Sequence, residues 1–318
     1  MSHDLAIIIP AYKPDFLRKT LQSVINQTDQ RFSLYIFDDA SPHNIREIVE
    51  SSPLPKQTHY QRFEENMGQY SLVKQWDRCI EQIQNESWVW LFSDDDIMDP
   101  DCVKAFYKAR EKDQAAGCFR FDTIKIDQDG KNIRENQFPD KMNASDFLNL
   151  KLSSEQESYV VEYIFSREAF YDVGGFPDLP LAWASDDLFW AKMANLHPIR
   201  TIKGPIVKWR SSALNISGGK NSGHAVPKLQ SSRMLVDWIR KRPKIKNDLI
   251  PDDLHIYWFA RQIRTLQDQL SLKDELTAVL KMCVKDVRIL KHYYDIKKEK
   301  SRLLGWLRYK FNRTDQAK

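Results

Sequence analysis

The stretch Trp88–Pro100, WVWLFSDDDIMDP, decides the fold that the sequence predicts. Five apolar residues are followed, after Ser93, by the carboxylates Asp94, Asp95 and Asp96. A short, uninterrupted apolar run is typical of a strand that is buried on both faces. Adjacent like charges repel each other, most strongly where water is scarce, so a bound cation or ligand would explain this cluster. The alternative is a plain acidic turn before the helix that Pro100 opens.

Two further short apolar runs lie nearer the N-terminus. The apolar run 5–9, LAIII, stops at Pro10, and the run 32–37, FSLYIF, is followed by Asp38 and Asp39. The segments between these runs place apolar residues at helical spacing. This alternation predicts an α/β fold with a mostly parallel central sheet flanked by helices. Ligands of such sheets bind beyond the carboxyl ends of the strands, where the polar residues named here would meet.

The last third of the chain differs from the rest in charge. Residues 231–318 contain 21 Lys+Arg and 11 Asp+Glu, a net charge of +10, whereas residues 1–230 contain 27 and 33, a net charge of −6. Helical spacing of apolar residues in 229–242, 253–270, 272–294 and 297–311 predicts a helical C-terminal extension. We therefore expect two domains, an α/β domain over 1–224 and a basic helical region over 225–318.

Composition excludes several classes of protein. With 42% hydrophobic and 29% charged residues, the chain is typical of soluble globular proteins. Its apolar runs are far shorter than the roughly 20 residues needed to cross a bilayer. The N-terminal segment also lacks the basic and long apolar regions of a signal peptide, so the expected location is cytoplasmic. The four cysteines show no CxxC spacing, which disfavours a zinc site.

The segment Ser301–Phe311, SRLLGWLRYKF, combines large apolar residues with Arg and Lys. A basic amphipathic helix of this kind can lie in a membrane interface, which predicts peripheral contact with the anionic inner face of the cell membrane. The alternative is a core or dimer helix whose apolar face is packed. No nucleic-acid-binding module accompanies the charge, so a nucleic acid is not expected as a partner.

Several segments in order resemble the inverting family 2 glycosyltransferases of the bacterial surface-polysaccharide type, which have the GT-A (nucleotide-diphospho-sugar transferase) fold. The resemblance covers roughly residues 4–220, and several ordered matches are far more specific than any single one. The matching segments are IIIPAYKPDFLRKTLQSVINQT (7–28), LYIFDDAS (34–41), ENMGQYSLVKQWDRCIEQ (65–82), WVWLFSDDDIMDPDCV (88–103), AFYDVGGFPD (169–178) and SDDLFWAKMA (185–194).

The resemblance implies roles for individual residues on the donor side. Asp95 and Asp96 would hold Mn²⁺ or Mg²⁺, hard cations that prefer oxygen ligands. Asp39 would accept the N3–H of a uracil, or would serve only in a turn or helix cap, for which Ser41 is better placed. The nucleotide-sugar site would contain Pro10, Tyr12, Asp39, Asn66, Gly68, Lys74, Asp94 and Asp95. A surface position for Lys74 is an equal alternative.

The resemblance also implies a catalytic base at the start of the helix near residue 185. The family's Glu-Asp motif has become Ser185-Asp186-Asp187 in this chain. When the motif is aligned on Trp190, Asp186 takes the position of the family's base. An alignment shifted by one residue would place Asp187 there instead. The other member of the pair would then cap the helix.

Together these features predict a metal-dependent inverting hexosyltransferase. It would move a sugar from a nucleotide sugar, with a UDP-sugar favoured, to a hydroxyl of a saccharide or lipid-linked glycan in capsule, O-antigen or related polysaccharide synthesis. One alternative is a nucleotidyltransferase, although the glycine-free IIIPAYKPDF lacks the expected phosphate loop. Another is a non-catalytic nucleotide-sugar or carbohydrate-binding scaffold that retains the fold.

Overall fold

The computed structural model describes residues 4–212 and 222–298. The chain forms two compact units, 1–219 and 220–318, which are described separately. The predicted helix over 297–311, including Ser301–Phe311, lies almost entirely outside the described residues.

All strands of the described residues belong to the first unit, where they form one ten-stranded sheet. They are β1 (Leu5–Ala11), β2 (Ser33–Asp38), β3 (Thr58–Arg62), β4 (Trp88–Leu91), β5 (Ile97–Met98), β6 (Cys118–Ile126), β7 (Asn132–Asn136), β8 (Lys141–Met142), β9 (Tyr163–Ser166) and β10 (Ile199–Arg210).

The strand order explains why the first apolar runs are buried on both faces. The order is β3-β2-β1-β4-β9-β6-β10-β5, with β7 paired to β6 and β8 paired to β10. The pairs β3–β2, β2–β1, β1–β4 and β6–β10 are parallel, and the other pairs are antiparallel. Because β2, β1 and β4 are parallel neighbours, their carboxyl ends meet at one edge of the sheet.

Helices cover the faces of this sheet, as the sequence predicts. The helix that Pro100 was expected to open begins at Cys102, and the helix expected near Ser185 begins at that residue. The α-helices of the first unit are α1 (Leu17–Ile25), α2 (Ile45–Glu50), α3 (Leu72–Glu81), α4 (Cys102–Lys112), α5 (Ala144–Ser153), α6 (Arg167–Asp172) and α7 (Ser185–Leu196).

Two elements of the first unit differ from the sequence prediction. Apolar residues at helical spacing in the segment Gly68–Gln84 predict a helix, which begins at Leu72, because the Ser71 side chain caps it by accepting a hydrogen bond from the Lys74 N–H. The sequence pattern predicts a strand over Ile206–Arg210 only, and strand β10 is longer. It begins at Ile199 and crosses a register shift between Ile202 and Ile206, so the segment does not read as one strand.

Large aromatic side chains fill the core beneath β4. Trp90 stacks on Phe121 with ring centroids 5.3 Å apart, and its indole N–H donates to the Val161 carbonyl at 2.7 Å. Trp88 packs against Phe106 at 5.3 Å. The apolar part of WVWLFSDDDIMDP thus anchors the strand, and burial of each aromatic stabilises the fold by roughly 1.5–3 kcal/mol.

The second unit is helical in its described part. Its elements are α8 (Ala225–Arg240), α9 (Pro243–Asn247), α10 (Leu254–Leu266) and α11 (Leu272–Cys283), and residues 288–298 are also helical. The predicted segment 272–294 is therefore two helices with a break at 284–287. No helix among the described residues is long and apolar enough to cross a bilayer.

Apolar side chains remain exposed along α11 and the helix 288–298. We call this set the apolar stripe. It consists of Leu272, Leu276, Leu280, Val284, Val287, Leu290 and Tyr294.

Candidate active site

Asp94 joins the end of β4 to the end of β1. Its Oδ2 accepts hydrogen bonds from the backbone N–H groups of Tyr12 and Lys13, each at 2.8 Å. Because β1 and β4 are parallel neighbours, their ends bring these residues together across 82 positions of sequence. The Asp94 side chain thereby fixes the turn that carries Tyr12.

Asp95 is engaged through both carboxylate oxygens. Ser93 Oγ donates to Oδ1 at 2.6 Å, and Lys13 Nζ donates to Oδ2 at 3.0 Å. The Lys13 ammonium also lies 3.9 Å from Asp94 Oδ1. Lys13 is thus a cation supplied by the chain itself to the acidic cluster, and it offsets part of the repulsion between the carboxylates.

Among the described residues, only one of the two Asp96 carboxylate oxygens has a hydrogen-bond partner. The Arg210 backbone N–H donates to Oδ1 at 2.6 Å, whereas Oδ2 is buried and has no hydrogen-bond partner among the described groups. The Arg210 guanidinium donates to the Asp95 carbonyl at 2.9 Å. A buried carboxylate oxygen without a partner is costly, which makes Oδ2 a candidate ligand for a cation.

The cluster also perturbs proton affinities. Burial raises the pKa of Asp94 to about 6, while the nearby Lys13 ammonium acts in the opposite direction. Burial and then the Asp95 carboxylate raise the pKa of Asp96 well above its usual value. Although burial opposes it, the carboxylates Asp94 and Asp95 raise the pKa of Lys13. The shifts of Asp94 and Asp96 thus follow first from burial and then from the neighbouring charges.

Asp39, at the end of β2, holds the loop before α3. Its Oδ1 accepts from the Met67 N–H at 2.8 Å and from the Arg78 guanidinium at 2.7 Å, and its Oδ2 accepts from the Gly68 N–H at 2.8 Å. Burial raises the pKa of Asp39, although these contacts oppose the shift. Asp39 does not cap α2. The Asn44 side chain does so instead, which also corrects the suggestion that Ser41 is the cap.

Ser41 instead holds the backbone of Tyr12. Its hydroxyl donates to the Tyr12 carbonyl at 2.5 Å, so the Tyr12 backbone is held from β2 as well as from Asp94. The Tyr12 side chain is 38% exposed, which leaves its ring accessible for stacking. Pro10 precedes it within β1, opposite Phe37 of β2.

The other predicted donor-side residues lie around α3. Asn66 Oδ1 accepts from the Gln69 N–H at 2.9 Å, and a Cβ at Gly68 would lie 2.6 Å from Asp39 Oδ2. Lys74 is 3.8 Å from Asp178, and both line a cleft of about 370 Å³ between α3 and residues 178–182. The Lys74 side chain therefore pairs with Asp178 in this cleft.

Asp186 and Asp187 begin α7 and differ in their surroundings. Asp187 is buried, and its Oδ1 lies 2.7 Å from Lys151 Nζ of α5. Asp186 is more exposed. Burial and then the Asp187 carboxylate raise the pKa of Asp186 to about 7, while Lys151 opposes the shift. A carboxylate with this proton affinity suits a general base near neutral pH.

The loop before α7 is held in an unusual backbone conformation. Leu181, Ala182 and Ala184 have φ values of 59°, 52° and 59°, in the left-handed region that residues with a Cβ rarely adopt. The buried Ser185 hydroxyl accepts from the Leu179 N–H at 3.3 Å and so closes this loop. Ser185, which stands where the resemblance predicts Glu, therefore has a positioning role. Strain of this kind is concentrated at functional sites.

Sequence reasoning missed four charged residues of the site. Lys13 adjoins the predicted Tyr12, so its position in the chain could have revealed it. Arg78 lies one helical turn beyond Lys74, but no pattern predicts its pairing with Asp39. Arg210 is 114 residues from Asp96, and Lys151 also lies far from Asp187 in the sequence, so only the fold reveals these contacts.

The residues of the acidic cluster fit a divalent cation in part. Asp96 Oδ2 provides a free oxygen, and Asp95 would have to exchange its contact with Lys13 or Ser93 to ligate the ion. Within the described residues, no group of three or more Asp, Glu, His or Cys side chains could hold a metal ion. A Mg²⁺ or Mn²⁺ ion would therefore need further ligands from a phosphate group and water, as is common for Mg²⁺.

Comparison with known proteins identifies the family. The family model described as Glycosyl transferase family 2 matches residues 6–173, more than half of the chain. This chain belongs to glycosyltransferase family 2. The match spans β1, β2 and β4, whose carboxyl ends carry the acidic residues, and it favours a glycosyltransferase over the nucleotidyltransferase alternative. A search of curated proteins finds no match.

Solved structures show that this family 2 glycosyltransferase has the GT-A fold. S. aureus TarS 1–349 in complex with UDP-GlcNAc is 14% identical, with a TM-score of 0.67, and the match covers 94% of this chain and 92% of that one. The mannosyltransferase PcManGT from Pyrobaculum calidifontis, in complex with GDP-Man and Mn²⁺, is also 14% identical. Its TM-score is 0.53, and the match covers 96% of this chain and 86% of that one. At this identity the likeness establishes the fold and not the substrate.

Proposed function

We propose that this glycosyltransferase is metal-dependent and inverting, and that its donor is a nucleoside diphosphate sugar, with a UDP-sugar as first choice. The observation that carries the proposal is the buried Asp96 oxygen without a partner, at the sheet edge where β1, β2 and β4 end. The complexes of TarS with UDP-GlcNAc and of PcManGT with GDP-Man and Mn²⁺ support a donor of this class.

The donor side would bind the nucleotide at the ends of β1 and β2. The exposed Tyr12 ring would stack on the base, with Pro10 beside it. Asp39, which already accepts three hydrogen bonds, has lone-pair capacity for the N3–H of a uracil. Lys13 would approach the diphosphate from the acidic cluster. Asp96, together with Asp95, would hold Mn²⁺ or Mg²⁺, and the ion would neutralise charge on the leaving diphosphate.

Asp186 would act as the general base on the acceptor side. Its carboxylate would take the proton from the acceptor hydroxyl as the hydroxyl oxygen bonds to the anomeric carbon. The bond between that carbon and the diphosphate oxygen would break on the opposite face, so the configuration would be inverted. Asp186 is favoured over Asp187 because the Asp187 carboxylate is already paired with Lys151.

The proposed acceptor is a hydroxyl of a saccharide or lipid-linked glycan in surface-polysaccharide synthesis. Its support is the resemblance to enzymes of that kind. We also propose that the second unit makes peripheral contact with an anionic membrane. The apolar stripe supports this contact, since it is exposed and the exposed Lys273, Lys281 and Lys291 lie on the same helices.

Calorimetric titration with UDP, GDP, dTDP and CDP, each with and without Mn²⁺, tests the donor assignment. Tight binding of UDP that requires Mn²⁺ is expected. A preference for GDP or dTDP would keep the enzyme class and overturn the role of Asp39 in uracil recognition. Absence of binding to all four nucleotides would contradict the proposed donor site.

The catalytic assignment is tested by Asp186→Asn. Release of nucleoside diphosphate from a panel of nucleotide sugars should fall by about 100- to 10,000-fold, the usual contribution of a general base. Nucleotide affinity should stay unchanged. Unchanged turnover in Asp186→Asn would mean that Asp186 is not the base. A wild-type protein that binds nucleotides but turns over no donor would favour the scaffold alternative.

A further inference from the structure

Of the two adjacent carboxylates at the start of α7, Asp187 forms an ion pair with a lysine of a different helix, Lys151. Lys151 of α5 lies 2.7 Å from Asp187 Oδ1 and also donates to the Ser158 carbonyl at 3.4 Å. The Lys151 side chain is only 21% exposed. An ion pair with so little solvent access is screened far less than a surface pair.

A second buried ion pair lies behind Lys151. Arg120 of β6 and Glu162, in the turn before β9, pair with each other, and both side chains are fully buried. Burial raises the pKa of Glu162 to about 7, while Arg120 and Lys151 oppose the shift. Lys151 is therefore attracted by Asp187 and Asp186 of α7 and also by Glu162.

These contacts leave Asp186 and Asp187 chemically different. Two adjacent carboxylates in a poorly hydrated site would each raise the proton affinity of the other. The Lys151 ammonium offsets this effect and holds the Asp187 carboxylate toward α5. Asp186, the more exposed of the two, remains available to a substrate.

We propose that Lys151 is a positioning residue for catalysis: by binding Asp187 it makes Asp186 the single base and increases the fraction of that base that is ionised at neutral pH. The inference rests on the proposed function of Asp186. Among the described residues, the charged groups that act on Asp186 are Asp187 on its own helix and Lys151 on α5. Glu162 acts on Lys151, and Arg120 is paired with Glu162. Removal of the ammonium should therefore shift the ionisation of the base and permit Asp187 to compete for its role.

The test compares the pH profiles of kcat/KM for Lys151→Met and Lys151→Arg, measured as release of nucleoside diphosphate from the donor that the wild-type enzyme uses. Lys151→Met should move the acidic limb of the profile to a pH about one unit higher, which lowers kcat/KM near pH 6 about tenfold. Lys151→Arg, which keeps the charge, should restore most of the wild-type profile. Nucleotide affinity should be the same in both variants.

A second variant separates the electrostatic effect from a structural one. Lys151→Met combined with Asp187→Asn removes both charges, so its acidic limb should return toward the wild-type position. Lys125→Met, which breaks an ion pair with Glu157 in the same unit, serves as the matched control and should leave the profile unmoved. Circular dichroism and thermal midpoints confirm that each variant is folded.

The outcomes separate this inference from the proposed function. If wild-type protein turns over the donor and Lys151→Met keeps the wild-type acidic limb, the positioning role is wrong while the glycosyltransferase assignment stands. If Lys151→Met loses activity equally at every pH and Lys151→Arg does not restore it, the role of Lys151 is structural and the inference is likewise overturned.

Discussion

Single residues account for the most specific features of the site. The Asp96 carboxylate has one buried oxygen without a partner among the described residues, whereas both oxygens of Asp95 accept hydrogen bonds from Ser93 and Lys13. The three adjacent carboxylates therefore have different surroundings. Asp94 accepts from backbone N–H groups, Asp95 pairs with Lys13, and Asp96 is the proposed metal ligand.

We predict that Asp96→Asn weakens Mn²⁺-dependent nucleotide binding by about tenfold or more, because the neutral amide is a much poorer ligand for a hard cation. Calorimetric titration with and without Mn²⁺ measures the effect. Asp101→Asn is the matched control, because Asp101 is exposed in the same segment and donor affinity should not depend on it. Equal Mn²⁺ dependence in wild type and Asp96→Asn would remove Asp96 from the metal site.

The ionisation of Asp186 predicts a pH dependence. The pKa of Asp186 is raised to about 7, and a general base acts only when it is deprotonated. The value of kcat/KM should therefore rise as the pH increases from 6 to 8 and level off above that range. A profile that is flat from pH 5 to 8 would mean that the base has an ordinary carboxylate pKa or is another group.

At the scale of elements, strand ends and the loops after them position the site. Gly68 shows how tightly the loop before α3 is fitted, because a Cβ there would lie 2.6 Å from the Asp39 carboxylate. That carboxylate also accepts the Gly68 N–H. The loop and the end of β2 are therefore positioned together.

We predict that Gly68→Ala lowers the free energy of unfolding by about 1–3 kcal/mol, since the added methyl group overpacks the contact. It should also weaken nucleotide binding, because Asp39 must move. Gly117→Ala is the comparison, since a Cβ there would lie 3.0 Å from the Ala169 and His197 side chains, just before β6. Gly117→Ala should reduce stability and leave nucleotide affinity unchanged. Equal nucleotide affinity in Gly68→Ala and wild type would contradict the proposed role of this loop.

Elements with a strong local pattern could be predicted from sequence, and contacts between distant elements could not. The apolar runs that form β1, β2 and β4 are short and continuous, and the helix at Ser185 has a clear start. Strand β10 was recognised only over its last residues, because Gly204 and Pro205 interrupt the pattern between its two halves. The pairing of Lys151 with Asp187 depends on how α5 and α7 pack, which no local pattern contains.

At the scale of the whole molecule, the two units differ in the surface that they present. The first unit buries its three adjacent acidic residues at a sheet edge, whereas the second exposes the apolar stripe on helices that also carry the exposed Lys273, Lys281 and Lys291. Val284, at the centre of the stripe, is 91% exposed. A surface of this composition fits an interface with anionic lipid.

We predict that the full chain sediments with vesicles containing phosphatidylglycerol and much less with vesicles of phosphatidylcholine alone. Leu280→Asp should reduce this binding, because it places a charge in the apolar stripe. Ile133→Asp, an equivalent change at an exposed position of β7 in the first unit, is the control. If wild type and Leu280→Asp bind equally, or if the stripe instead mediates a dimer in analytical ultracentrifugation, the membrane proposal is wrong.

The link between Arg210 and Asp96 also bears on how the protein emerges from the ribosome. The two residues are 114 positions apart, and at roughly 5–20 residues per second the second is synthesised about 6–23 s after the first. Until then Asp96 Oδ1 lacks the backbone N–H from which it accepts in the folded protein, whereas Lys13, the cation beside Asp95, is already present. A hydrogen bond of the acidic residues at the end of β4 therefore depends on a strand that is synthesised much later, β10.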